Sequence, residues 1–120
     1  MTGDEVETAP DGSTVERLGR VSGGSMARFS FAAGSVSRAV RHRQVEELWY
    51  VLAGEAELWR AEASGAAEVI ALEAGTAFAL PARCAFQVRV SRQAPLTVVA
   101  VTMPPWPGDE EAVFVDGHWQ

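Results

Sequence analysis

Hydrophobic and polar residues alternate along this chain in short runs, and almost every run ends at a glycine, a proline or a charged turn. Residues 46–53 read Glu-Glu-Leu-Trp-Tyr-Val-Leu-Ala and residues 96–103 read Leu-Thr-Val-Val-Ala-Val-Thr-Met, both rich in the β-branched and aromatic residues that suit a pleated surface. The same pattern predicts strands over 26–32, 37–42, 55–61, 68–72, 76–80 and 85–90. Eight or nine strands at spacings of roughly 8 to 12 residues, with no long helical period, point to a sandwich or barrel. Ala53-Gly54 and Ala74-Gly75 mark two of the turns.

The two ends break this rhythm. Residues 1–13 combine Asp4, Glu5, Glu7 and Asp11 with Pro10 and Gly12, a composition that predicts a mobile acidic tail. The rest, 14–120, is expected to be one barrel domain, with 104–120 as a strap. Its Pro104-Pro105-Trp106-Pro107-Gly108 stretch cannot continue a central strand, and Trp106 is a candidate lid or subunit-interface residue.

Composition narrows the function. The chain has 120 residues, 48% apolar and 22% charged, within the range of an ordinary single globular domain. A net charge of −6 argues against nucleic acid or an anionic membrane as partner and leaves a small molecule or another protein. No apolar run approaches the roughly 20 residues of a membrane span, and the acidic start is unlike a signal peptide, so a cytoplasmic location is expected. The lone Cys84 permits no intrachain disulfide, and its small thiol is read as packing.

Gly34, His42, Glu47 and Gly54 fall at the spacing G-x5-H-x-H-x(3,4)-E-x6-G, and Gly75 and Pro81 fall where G-x5-P-x-G-x2-H-x3-N opens. On these residues the chain resembles the small single-domain cupins, over about residues 26–103. The resemblance implies an all-β fold, the double-stranded β-helix or jelly-roll barrel, and commonly a homodimer. It also implies a metal site of motif-one histidines, glutamate and motif-two histidine, of which only part survives here. Counted with four residues before Glu47, the ligand positions are Val40, His42, Glu47 and Phe86; counted with three, they are Arg41, Arg43, Glu47 and Phe86. Side chains alternate across a strand, so only one of the pairs 40/42 and 41/43 faces inward, and the sequence leaves the choice open.

The candidate site follows from these two frames. Glu47 and His42 are the candidate catalytic residues and the only candidate metal ligands, so the cofactor expectation is none, or one weakly held divalent transition metal. In the second frame Arg41 and Arg43 form a guanidinium clamp for an anion. Trp49, Phe86 and Gln87 are further candidate ligand contacts; Arg89 is a weaker one, and His118 could join only if the tail crossed the barrel mouth. Flanking arginines are expected to lower the His42 pKa. The leading functional expectation is binding of a small organic molecule, anionic or aromatic, inside the barrel. The alternative is an enzyme, metal-dependent or using Glu47 as acid and base, of isomerase, cyclase, lyase or dioxygenase type. A solidly packed barrel would instead indicate a structural or regulatory partner domain.

Overall fold

A computed structural model describes residues 6–120. Eleven strands run in chain order: β1 (Val6–Thr8), β2 (Thr14–Val21), β3 (Gly24–Phe31), β4 (Val40–His42), β5 (Glu46–Ala53), β6 (Ala56–Ala61), β7 (Ala67–Leu72), β8 (Ala77–Leu80), β9 (Ala85–Val90), β10 (Leu96–Met103) and β11 (Ala112–Phe114). They form a six-stranded sheet ordered β1-β2-β3-β10-β5-β8 and a five-stranded sheet ordered β11-β4-β9-β6-β7, with every strand pair antiparallel. This is the expected all-β jelly-roll architecture. Among the described residues no helix is long and apolar enough to cross a membrane.

Period-two alternation places the core. Along β5, Glu47, Trp49 and Val51 are buried while Glu46, Leu48 and Tyr50 are exposed; along β10, Leu96, Val98, Ala100 and Thr102 are the buried set. Leu58, Leu72, Phe86, Val88 and Val90 face them from the other sheet, and Cys84 packs into the same cluster. The predicted turns carry left-handed glycines. Gly54 has φ 94°, and a Cβ there would collide with the Pro95 carbonyl oxygen, so the approach of these two chain segments requires glycine.

The structure departs from the sequence reading at both ends. Residues 6–13 are not a loose tail: β1 pairs with β2, Ala9 N donates to Ser13 O, and Arg38 N donates to Asp11 O at 3.0 Å. Residues 1–5 lie outside the described residues. Within the strap a short 3-10 turn, Asp109–Glu111, leads into β11, which pairs with β4. Glu111 is buried there, and its Oε2 accepts the backbone N–H of Gln44 at 2.5 Å and of Val45 at 2.7 Å, tying the strap to the loop between β4 and β5.

Candidate functional site

The barrel is not packed solid. A cavity of about 580 Å³ lies between the sheets at one end, walled by Phe29, Trp49 and Phe86 and reached by Val40, His42, Glu47 and Thr102. Val40 pairs with Phe86 in the register of β4 with β9, which sets residues 40 and 42 inward and residue 41 outward. The first of the two frames is therefore the inward one. All four positions, Val40, His42, Glu47 and Phe86, line one cavity.

Arg41 and Arg43 do not form an interior clamp. Both are exposed, and Arg43 donates from Nε to the Glu110 carbonyl at 2.9 Å on the outer surface. Gln87 does not reach the cavity either: it alternates away from Phe86 and is buried beneath the C-terminal segment. Its Nε2 donates to Ser37 O and Trp119 O, and its Oε1 accepts from His118 N and Trp119 N, so the amide serves as an anchor. His118 stacks on Trp59 outside the cavity, and Arg89 pairs with Glu57. Of the candidate contacts, Trp49 and Phe86 do face the cavity.

Glu47 and His42 meet at the polar focus of this space. Glu47 is 3% exposed, and its Oε1 accepts the Trp49 indole N–H at 3.0 Å. The same oxygen lies 3.8 Å from His42 Nδ1, too far for a hydrogen bond. Burial pushes the Glu47 carboxyl up to about 7; the Trp49 bond opposes this, and the Asp11 carboxyl adds to it. Burial likewise lowers the His42 imidazole to about 4, with Glu111 pulling the other way. The lowered histidine was expected, but desolvation rather than the flanking arginines causes it. The His42 ring meets Phe86 and Trp106 edge to face, with centroids 5.4 and 4.9 Å away.

Two site residues, Asp11 and Trp106, are not among the residues that the motif spacing singles out. Asp11, 7% exposed, lines the cavity; both bonds from Ser13, N at 2.9 Å and Oγ at 2.6 Å, fall on its Oδ1. Burial raises its pKa, and the Ser13 bonds partly offset that. Trp106 comes in from the strap, held by its backbone N–H to Ser25 Oγ at 3.0 Å. Having accepted that bond, the Ser25 hydroxyl is free to donate to Thr102 Oγ1 at 2.5 Å. The proline-rich strap signalled Trp106; nothing local signalled Asp11.

The four inward positions do not fit a tightly held transition-metal ion. His42 and Glu47 supply two donors, Val40 and Phe86 supply none, and among the described residues no group of three or more His, Cys, Asp or Glu is placed to share an ion.

Comparison with known proteins agrees with this architecture. The family model described as Cupin domain matches residues 27–102. No curated protein gives a significant sequence match. Among solved structures, a conserved protein with a double-stranded β-helix domain from Klebsiella pneumoniae superposes with TM-score 0.72 at 17% identity, over 93% of this chain and 91% of that one. KdgF from Halomonas sp. gives TM-score 0.70 at 18% identity, over 86% of this chain and 88% of that one. Oxalate decarboxylase from Bacillus subtilis gives TM-score 0.81 at 9% identity; the match covers 96% of this chain but 32% of that larger one. At these identities the likeness is one of fold.

Proposed function

The chain belongs to the cupin domain family, and from that premise we propose that it binds a small organic molecule inside the barrel, oriented by Glu47 and His42 in place of a metal ion. One observation carries this reading: a cavity of about 580 Å³ that Phe29, Trp49, Phe86 and Trp106 help to wall and whose buried carboxyl and imidazole retain unspent hydrogen-bonding capacity. Apolar walls with a few convergent polar groups are the usual composition of a small-molecule site. The walls hold the body of the ligand, and the two titratable groups fix its polar end.

The anionic part of the sequence expectation loses its support, because Arg41 and Arg43 face outward. An oxalate-like dianion would meet the buried Asp11 and Glu47, while the guanidiniums that line the cavity, Arg17 and Arg20, are exposed. Screening small aromatic and alicyclic molecules by protein-observed NMR tests the reading. Saturable binding should shift the Trp49 indole N–H and weaken in Ala27→Phe, which puts a ring into the cavity. Silence across the panel, or equal binding by that variant, would overturn it.

A second reading, acid–base catalysis by Glu47, is favoured by one feature. A carboxyl that titrates near 7 populates both of its protonation states at neutral pH, as a general acid and base should. In that case Glu47→Gln binds the molecule but does not turn it over.

A further inference from the structure

The charges inside the barrel are unbalanced. Glu47 and Asp11 are 3% and 7% exposed; Asp109 also lines the cavity but is exposed. Glu47 spends one carboxylate oxygen on Trp49, and among the described residues no donor reaches the other. Asp11 likewise receives both of its bonds on a single oxygen. The cationic side chains at the cavity are Arg17 and Arg20; Arg17 is paired with Glu7 at 3.0 Å, and both are exposed. Among the described residues no Lys or Arg forms an ion pair with either buried carboxyl. Around them stand the faces and edges of Phe29, Trp49, Phe86 and Trp106.

We infer that the ligand of this cavity is an organic cation, an ammonium group seated between Asp11 and Glu47 with its hydrocarbon body against the aromatic walls. The inference rests on the barrel-binding reading and adds the charge class to it. Two buried carboxyls without a counter-charge are expensive unless an opposite charge joins them. Aromatic rings attract a cation most strongly when it is desolvated, as here. An anion meets repulsion from both carboxyls, and a neutral molecule brings no charge to either.

Three probes of one shape separate these cases near pH 7.5: phenethylamine, 2-phenylethanol and 3-phenylpropanoate, titrated by calorimetry into the full chain. The amine should bind at least about tenfold more tightly than the alcohol, and the acid should bind more weakly than either. In Asp11→Asn and in Glu47→Gln the preference for the amine over the alcohol should fall to about threefold or less. Equal affinity of amine and alcohol, or tightest binding of the acid, would overturn the cation inference and leave the barrel-binding reading standing. Undiminished preference in both variants would remove the two carboxyls from the assignment. Silence with all three probes would count against both readings, and the ranking in the unaltered protein decides the matter even if a variant does not fold.

Discussion

Replacing Glu47 by glutamine gives the sharpest check on the electrostatics of the cavity. Burial holds the Glu47 carboxyl at about 7 in the folded chain against 4.5 in the open one, so folding favours the protonated acid. That stabilisation is complete below about 4.5 and is lost as the pH rises through about 7; at about 1.4 kcal/mol per tenfold change in proton affinity it amounts to about 3 kcal/mol. His42 acts in the opposite sense. Its folded value of about 4 against 6.5 means that its contribution is complete above 6.5 and is lost as the pH falls toward 4. Between these limits the folded protein carries its proton on Glu47 and the unfolded chain carries one on His42. The two effects therefore nearly cancel, and the pair is almost silent in the unaltered protein.

Single substitutions uncover the halves. Urea unfolding followed by tryptophan fluorescence, repeated from about pH 4.5 to 7.5, should show Glu47→Gln gaining about 3 kcal/mol relative to the parent as the pH rises. His42→Asn should lose a comparable amount relative to the parent between about 4 and 6.5. Differences between variant and parent remove the contribution of every other titrating group. A Glu47→Gln difference that stays flat within about 0.5 kcal/mol would show that the carboxyl titrates like an exposed one, and the account of a desolvated cavity would fail.

Two further outcomes follow from the backbone and the outer surface. Arg83, exposed, holds φ 69° in the turn before β9, at the motif-two position where the resemblance places glycine; Arg83→Gly should stabilise the fold by about 0.5–1 kcal/mol in urea unfolding while Arg83→Ala does not. On the outer face of the six-stranded sheet Val101 lies opposite Leu48 and Val99 opposite Tyr50, with Leu48 and Tyr50 52% and 49% exposed; light scattering should report a dimer that becomes monomeric in Leu48→Glu/Tyr50→Glu, and a monomeric parent would refute pairing through this face.

The middle of the chain was legible because burial there follows the pleat. β5, β9 and β10 have the bounds that alternation and turn residues predict. β1 and β2 were not, because Val6, Glu7 and Thr8 are all exposed and β2 is held by its pairing with β3 rather than by a buried face. The inward frame at residues 40–43 could not be read either. Alternation fixes which residues share a face but not which face is inside, and the choice comes from the pairing of Val40 with Phe86, far away in sequence. Asp11 was hidden for the same reason. A polar segment reads as a tail until a long-range bond such as Arg38 N to Asp11 O draws it across the barrel.

Two apolar residues decide the chemistry of the remaining two. At four positions where the resemblance implies ligands to a divalent ion, Val40 and Phe86 offer no donor, while His42 and Glu47 still face the cavity. A resident ion would balance the Glu47 carboxylate and hold His42 by a ring nitrogen. Without three donors that balance has to come from elsewhere. A proton supplies it: burial lifts the Glu47 carboxyl to about 7 and keeps the imidazole beside it neutral. Asp11 lies at the same cavity and raises the cost of ionising Glu47 further. The two apolar positions and the excess of buried acid therefore bear on one property, the charge balance of the cavity: Val40 and Phe86 take away two donors, and Asp11 adds an acid beside Glu47.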